Sequence, residues 1–341
     1  MGLDLTPFNT GCISMKINTI KLRRILFHLI AIVFLANIFV ACDSNGKKNA
    51  LDLTDRITNE ALEKSNIENK SNKITENKLI FGFDLRNSPS EDAKQYLPFL
   101  NYLSEATGFK FELKFTAKGN DIATELGEGR IHLAAIGATS FIKAHEHFGA
   151  IALTRGINNN DKAEYRSIIV VSPTSKLQNL ESLKGKRFAF GSIDSTQGHL
   201  LPRIELGNRN IYLQDLGNYQ YTGSHLNCAN AVISGQMDAC GMQDTLASEF
   251  ASKGLLRVLF TSDYYPSSGI VANQHLSQAV LNKITQALLD FKPEGKHGAL
   301  LYNWDKTEMP KGFIRANLKD YVDLRKWMIN FKMLTVAGRV N

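Results

Sequence analysis

The chain has 341 residues, 43% of them hydrophobic and 21% charged, and its formal net charge is +7 at pH 7. Lys and Arg form no dense stretch after residue 24, whereas nucleic-acid binding needs them concentrated on one face or stripe. Nucleic acid is therefore excluded as the expected partner, and the mild positive bias favours an anionic solute.

The N-terminal segment has the layout of a secretory signal. Four basic residues between positions 16 and 24 precede an apolar run over residues 25–41, and a polar stretch follows Cys42. This junction resembles the bacterial lipobox, in which the cysteine is acylated and becomes the new N-terminus. We interpret residues 1–41 as a signal peptide, with Met15 as an alternative start, and Cys42 as the lipidation site. An uncleaved membrane anchor is the alternative, because the run approaches the ~20 apolar residues that span a bilayer.

The segment after Cys42 is polar and predicts a flexible tether over residues 42–77. It is rich in Asn, Lys, Glu, Ser and Asp and has no aromatic residue, so it buries too little surface to offset the entropy of ordering. The expected location is the periplasmic side of a bacterial membrane, with Asp43 favouring the inner membrane. The remaining part of the chain exceeds the size at which one core keeps growing, which favours two lobes.

Strand and helix patterns alternate from residue 78 onward. Apolar runs predict strands over residues 79–83, 109–115, 133–136, 167–171, 187–190, 219–222, 238–242 and 256–261. Helical periodicity predicts helices over residues 91–107, 121–128, 139–148, 196–206, 225–234 and 245–253. The polar stretch 158–162 is interpreted as lying near a crossover between the lobes. This order predicts mostly parallel sheets with helices on both faces.

The predicted fold class is therefore α/β with two lobes. Residues 78–160 are expected to form the first lobe and residues 161–262 the second, with 263–341 returning to the first lobe and ending in helices. Open α/β sheets bind ligands at the carboxyl ends of their strands, so the ligand cleft is expected between the lobes.

Three predicted strand-to-helix junctions share one composition. Residues 136–140, 191–198 and 221–225 each place a glycine beside hydroxyl side chains where a helix begins. A helix start offers unpaired N–H donors and the positive end of the helix dipole, which together attract anions. A single junction of this kind is most often a plain helix cap, so the prediction of an oxyanion site depends on all three converging.

Several motifs carry a family resemblance. They are EYRSIIV at 164–170, NLESLKG at 179–185, KRFAFGSIDSTQGHLLPR at 186–203, YTGSH at 221–225, GQMDA at 235–239 and GFI at 312–314. In this order the chain from residue 78 to about residue 331 resembles the phosphonate, phosphite and phosphate-binding proteins of ABC importers. The resemblance implies a type II periplasmic-binding-protein fold, a phosphorus oxyanion as ligand, an ABC permease and ATPase as partners, and a monomer.

The resemblance also implies the binding residues. They are Ser195, Thr196, Gln197, Ser224, His225 and Tyr165, with Thr139 and Ser140 from the first lobe. Ser195 and Thr196 are expected to bind phosphoryl oxygens, and His225 to donate a further hydrogen bond. A helix cap or a core histidine is the alternative for His225, and strand-end packing is the alternative for Tyr165. Asp244 either meets an ammonium group on the ligand or caps the helix that starts at Thr245.

The sequence patterns favour neither catalysis nor metal binding. Ser195, His225 and Asp244 resemble a hydrolase triad in composition only, because no G-x-S-x-G elbow frames Ser195. His145 and His147 lie two apart on a predicted helix and therefore do not share a face. We expect no enzyme activity, no metal and no cofactor, and a sensor lipoprotein that signals to a membrane protein stays open as an alternative to transport.

The cysteines outside the N-terminal region are Cys228 and Cys240. In an oxidising periplasm these two are able to pair. Two half-buried thiols are the favoured expectation, because sequence spacing says nothing about the geometry that a disulfide needs.

Overall fold

A computed structural model of the chain describes residues 78–83, 88–116 and 120–335. These residues all belong to one compact unit of the chain. The predicted signal peptide, the lipidation site at Cys42 and the tether lie outside the described residues. The predicted residue bounds of these segments and of the two lobes stay a prediction.

The described elements follow the predicted alternation. The strands are β1 Lys78–Phe83, β2 Lys110–Leu113, β3 Leu133–Ile136, β4 Ile151–Gly156, β5 Glu164–Tyr165, β6 Ser167–Val171, β7 Arg187–Phe190, β8 Asn218–Tyr221, β9 Ala239–Gln243, β10 Arg257–Thr261, β11 Tyr265–Pro266, β12 Gly269–Ala272 and β13 Phe313–Arg315. The α-helices are α1 Pro89–Thr107, α2 Ile122–Gly127, α3 Ala138–Phe148, α4 Leu201–Gly207, α5 His225–Ile233, α6 Asp244–Ser252, α7 Gln278–Asp290 and α8 Val322–Asn330. A π-helical turn, Thr196–Leu200, runs directly into α4.

Two sheets carry the fold. The first has the strand order β13-β4-β12-β3-β1-β2, and the second has the order β10-β6-β9-β7-β8. Alternate residues of β3 enter different apolar clusters: Leu133 packs with residues of α1 and α7, whereas Ile136 packs with residues of α2, α3 and α8. Ile168 and Ile169 of β6 divide in the same way between two clusters of the second lobe. Both sheets are therefore covered on both faces.

The ends of α1 show how local sequence sets an element. Ser88 precedes the helix, and its hydroxyl accepts a hydrogen bond from the Glu91 N–H at 3.3 Å. Gly108 ends the helix with a φ of 73°, a left-handed conformation that glycine adopts without steric cost. The helix therefore begins two residues before the predicted residue 91 and ends at the predicted residue 107.

The two-lobed α/β fold is confirmed, and the sheets are mixed where mostly parallel ones were expected. β1 pairs in parallel with β2 and β3, but β12 is antiparallel to both β3 and β4. Gly269 at the start of β12 lies opposite Ile136 at the end of β3. Because the chain re-enters the first sheet at the edge where β3 ends, β12 must run in the opposite direction. β6 enters the second sheet in the same way, with Ser167 opposite Gln243.

The chain passes between the two sheets along paired connections. β5 leads from the first sheet to the second, β11 leads back, and the two pair antiparallel with Tyr165 opposite Tyr265. The Arg166 guanidinium lies 3.8 Å from the ring centre of Tyr264, which adds a cation–π contact beside this ribbon. We call the pair β5 and β11 the hinge ribbon.

Cys228 and Cys240 form a disulfide, so the expectation of two half-buried thiols was wrong. Cys228 lies in α5 and Cys240 in β9, and both are fully buried. α5 packs on β9 after a tight turn, which brings the two Cα atoms to 5.8 Å, within the range that a disulfide spans. The spacing of the two cysteines in the sequence does not reveal that α5 packs on β9.

Candidate functional site

A small cavity lies where the strands of both sheets end. Its volume is about 30 Å³. Its lining residues come from the segments that follow β3, β7 and β8, from the hinge ribbon and from the return to the first lobe: Gly137, Ser192, Ser195, Thr196, Gln197, Gly223, Ser224, His225, Tyr165, Ser268 and Glu308. The three junctions singled out from sequence therefore meet at one place.

Three helical segments begin at this cavity. Gly137 precedes α3 without a side-chain cap, Ser195 precedes the turn that runs into α4, and Ser224 precedes α5. The Ser195 hydroxyl accepts from the Gly198 N–H at 2.9 Å, and the Ser224 hydroxyl accepts from the Asn227 N–H at 3.1 Å. Capping uses an oxygen lone pair of each serine, so each hydroxyl hydrogen stays available to a ligand. The backbone N–H groups of the first turns add further donors.

Thr196 joins the two lobes. Its Oγ1 accepts from the Thr139 N–H at 2.9 Å and donates to the Thr139 Oγ1 at 3.1 Å. A Cβ added to Gly137 would lie 2.9 Å from Thr196 Oγ1, so glycine is needed for this approach. Thr139 and Ser140 are fully buried behind the cavity and do not line it. Thr139 therefore acts on the site through Thr196.

His225 reaches the cavity from the first position of α5. It is 7% exposed, and its ring packs on two glycines. A Cβ on Gly198 would lie 2.9 Å from His225 Cε1, and a Cβ on Gly191 would lie 3.5 Å from Nδ1. The glycines of the GSIDSTQG loop thus make room for the imidazole.

Tyr165 brings the hinge ribbon into the site. Its side chain is buried, and burial, followed by the charge of Glu308, raises the pKa of its hydroxyl. The phenol therefore stays protonated at every physiological pH and keeps its capacity to donate a hydrogen bond.

Asp244 lies behind Gln197 and does not line the cavity. Its carboxylate accepts from the Thr245 N–H at 2.9 Å, from the Arg166 N–H at 3.2 Å and from Gln197 Nε2 at 3.3 Å. Gln197 Nε2 also donates to the Arg166 carbonyl at 2.8 Å, so the amide faces the hinge ribbon. Burial raises the pKa of Asp244, and these three donors compensate the buried carboxylate. α6 begins at Asp244 itself and has Gln243 as its N-cap, so Asp244 bonds the Thr245 N–H from within the first turn and is not the N-cap residue.

His199 supports the loop that carries Ser195. Its Nδ1 lies 2.6 Å from the Ile193 carbonyl, and its Nε2 lies 3.1 Å from the Tyr221 hydroxyl. Burial lowers the pKa of His199 to about 4, so the imidazole is neutral near pH 7. A neutral ring donates from Nδ1 and accepts at Nε2, which matches both partners.

Sequence reasoning missed three polar lining residues. Ser192 lies in the GSIDSTQG loop, and a search for every hydroxyl in that loop finds it. Ser268 and Glu308 belong to the returning segment, where no strand-to-helix junction marks them. Only the return of the chain to the first sheet brings them to the cavity. Across the described ranges, no group of three or more His, Cys, Asp or Glu side chains is arranged to hold a metal ion.

These features define a two-lobed α/β protein with a small, mostly polar cavity where the strands of both sheets end. The family model for ABC transporter, phosphonate, periplasmic substrate-binding protein matches residues 81–321. The chain therefore belongs to this family of periplasmic substrate-binding proteins. The family is a substrate-binding component of transporters, not an enzyme family.

Two curated relatives and two solved structures place the chain further. It is 25% identical over 236 residues to the phosphonates-binding periplasmic protein of Escherichia coli K12, covering 66% of this chain and 70% of the relative. It is 24% identical over 251 residues to the probable ABC transporter phosphite binding protein PhnD1 of Prochlorococcus marinus MIT 9301, covering 68% and 76%.

The structures show the fold. PhnD1 from the same organism, in complex with methylphosphonate, matches with a TM-score of 0.67 at 20% identity, over 75% of this chain and 99% of that one. The alkanesulfonate-binding protein SsuA from Xanthomonas axonopodis pv. citri, bound to MOPS, matches with a TM-score of 0.53 at 19% identity, over 75% and 92%. Within the described part of the chain, no helix combines the length and apolar character needed to cross a membrane.

Proposed function

We propose that this protein binds a small phosphorus oxyanion, such as a phosphonate, phosphite or phosphate, and delivers it to an ABC permease and ATPase. The observation that carries the proposal is the convergence of three helix starts on one small cavity, together with the hydroxyls of Ser195 and Ser224 and the ring of His225. Tetrahedral oxyanions need several donors at short range, and neutral hydroxyl and N–H donors supply them.

The ligand in this proposal is small. The cavity, at about 30 Å³, has a mostly polar lining of hydroxyl, amide and imidazole groups, which suits the tetrahedral head of a ligand. Phosphite, phosphate and methylphosphonate consist of little more than that head.

Binding in this proposal brings the two lobes together around the ligand. Support comes from contacts that cross the cavity: Thr196 of the second lobe bonds Thr139 of the first, and Lys143 of α3 pairs with Asp194. The hinge ribbon supplies two short connections on which the lobes move relative to each other. Closure expels water and strengthens the hydrogen bonds to the anion, and a hydrogen bond to a charged group is worth about 1.5–3 kcal/mol.

The experiment removes Ser195 and Thr196 together. The Ser195→Ala, Thr196→Ala double variant is expected to bind methylphosphonate at least about 100-fold more weakly, because it loses the Ser195 hydroxyl donor and the lobe contact made by Thr196. Isothermal titration calorimetry measures the change.

The matched control is Ser172→Ala with Thr174→Ala. These two exposed hydroxyls lie 3.1 Å apart on the same lobe, away from the cavity, so their loss is expected to leave affinity unchanged. Equal affinity in both double variants would refute the proposed site.

The lipid anchor and the monomeric state belong to the same proposal. Changing Cys42 to Ser is expected to move the protein from the membrane fraction to the soluble periplasmic fraction, and cell fractionation with immunoblotting measures this. A variant that stays in the membrane fraction would count against acylation at Cys42.

A further inference from the structure

One carboxylate lines a cavity that is otherwise built for an anion. Glu308 is 7% exposed and comes from the segment between β12 and β13. The other described lining residues present hydroxyl, amide or imidazole groups, or are glycines. A carboxylate in such a place needs a chemical reason, because its charge has the same sign as the proposed ligand.

The segment around Glu308 is fixed by buried hydrogen bonds. Trp304 Nε1 donates to the Met309 carbonyl at 2.9 Å, and Thr307 Oγ1 donates to the Trp304 carbonyl at 2.7 Å. The Met309 N–H donates to Thr307 Oγ1 at 3.2 Å. These bonds close a tight loop on both sides of Glu308, so the position of its side chain at the cavity is set by the fold.

Glu308 also has an electrostatic effect on two neighbouring ionisable groups. Its charge contributes to raising the pKa of Tyr165 and of Asp244, in both cases after the larger effect of burial. The hinge tyrosine and the carboxylate that holds Gln197 are thus close enough to sense Glu308. The acceptor stands on the first-lobe side, whereas the hydroxyl and imidazole donors come mainly from the second lobe.

We infer that Glu308 determines specificity by accepting a hydrogen bond from a hydroxyl group of the bound oxyanion. The ligand is then a singly protonated phosphonate, phosphite or phosphate, and this inference rests on the proposed function. A carboxylate that only accepts hydrogen bonds can pair with an anion that carries a hydroxyl hydrogen. It repels an anion that has no hydrogen to donate.

This rule separates two classes of tetrahedral anion. A phosphonate or phosphate has a second ionisation near neutral pH, about 6 for a phosphate ester, so a P–OH group is present at moderate pH. A sulfonate is fully ionised and carries no such hydrogen. A site built around a ligand hydroxyl rejects an analogue that lacks it by roughly 10⁴-fold, since buried acceptors and donors lose their partners.

The donor to Glu308 in this inference is a P–OH group, because each of the three small ligands in the proposal carries one when singly protonated. An ammonium would be present only on an aminoalkyl arm. The two sources of a hydrogen are distinguished by the choice of ligands in the test.

The test compares Glu308→Gln with wild type by isothermal titration calorimetry, using methylphosphonate, methanesulfonate and 2-aminoethylphosphonate at a pH where the singly protonated phosphonate predominates. Wild type is expected to prefer methylphosphonate over methanesulfonate by about 1,000-fold or more. Gln offers an N–H donor, so the variant is expected to gain about 10-fold for methanesulfonate and lose about 10-fold for methylphosphonate.

Two further variants keep the result interpretable. Glu308→Asp retains a carboxylate and is expected to keep a preference closer to wild type than to Glu308→Gln. Glu294→Gln changes an exposed carboxylate that is 3.9 Å from Lys311 and outside the cavity, and it is expected to leave both affinities unchanged.

An unchanged phosphonate-to-sulfonate ratio in Glu308→Gln overturns the inference. So does a loss confined to 2-aminoethylphosphonate, which would assign Glu308 to an ammonium group. If wild type binds none of the phosphorus ligands, the proposed function itself fails, and the role of Glu308 fails with it. Wild-type binding of methylphosphonate with an unaltered ratio in the variant leaves the proposed function standing.

Discussion

The two sides of the cavity differ in how they are built. The second-lobe side consists of short loops, residues 191–198 and 223–225, in which consecutive residues supply caps, donors and space for His225. The first-lobe side gathers Gly137, Ser268 and Glu308 from segments far apart in the chain. Local sequence therefore encodes one half of the site, whereas chain topology assembles the other half. We expect substitutions on the two sides of the cavity to differ in their effects on binding and on stability.

The largest effect is expected from Gly198, in the locally encoded half. In Gly198→Ala the new Cβ would lie 2.9 Å from both His225 Cε1 and Ser195 Oγ. It would therefore displace two side chains of the proposed binding site. Methylphosphonate affinity is expected to fall by about 1,000-fold, measured by calorimetry. Gly295→Ala serves as control, because its nearest neighbour would be 3.7 Å away. A Gly198→Ala variant with wild-type affinity would remove this loop from the site.

The disulfide between Cys228 and Cys240 is expected to affect the stability of the second lobe, which carries the locally encoded half of the site. Replacing Cys228 and Cys240 by alanine is expected to lower the free energy of unfolding by about 3 kcal/mol, since the crosslink closes a short loop of the unfolded chain. Urea denaturation with and without reductant measures the loss. Reductant should then shift the midpoint of wild type and leave the double variant unaffected; the same shift in both would show that the crosslink is not the cause.

His199 gives a pH dependence with a definite sign. Its pKa falls from 6.5 in the unfolded chain to about 4 in the fold, so unfolding takes up a proton between these values. Stability is therefore expected to fall as pH drops from 6.5 towards 4, by up to about 3 kcal/mol. In His199→Asn, which keeps a donor for the Ile193 carbonyl, urea midpoints at several pH values should show a smaller loss. An identical acid profile in both proteins would exclude His199 as the titrating group.

The smallest effect is expected at the rim, where the two halves meet. Lys143 and Asp194 are both about one-fifth exposed, so their ion pair is partly screened by solvent. Lys143→Ala is expected to weaken methylphosphonate binding by only about 3-fold, mainly through faster release, and the effect should fade in high salt. Stopped-flow release rates measure this, with Lys326→Ala on the exposed face of α8 as control. A release rate independent of Lys143 would separate this pair from closure.

Much of the fold could be predicted because its strands are short apolar runs between clear stops. β3, β6 and β7 have the predicted bounds, since each lies in a sheet covered on both faces and consists of apolar residues, preceded in β6 and β7 by one polar residue. β12 was not predicted, although its four residues, Gly269–Ala272, form an apolar run as long as β3; its antiparallel place follows from the route of the chain. The disulfide escaped prediction for the same reason, because helix-on-strand packing creates it.

The same division holds for the candidate site. Ser195, His225 and Ser224 were found because glycines and hydroxyls cluster at helix starts in sequence. Glu308 lies in a loop with no such pattern. A search of the sequence for hydrogen-bond donors does not select it, because a carboxylate is an acceptor. The position of Asp244 was predicted while its contacts were left open, since sequence does not show whether a carboxylate faces a ligand or the backbone N–H of Arg166.

The hinge ribbon has a geometric consequence for Tyr165. In the proposed closure, one lobe rotates against the other about an axis near the paired strands β5 and β11. A point on such an axis moves least, and Tyr165 lies both in the ribbon and in the wall of the cavity. Under this proposal the phenol keeps its position while the serine loops of the second lobe move towards it.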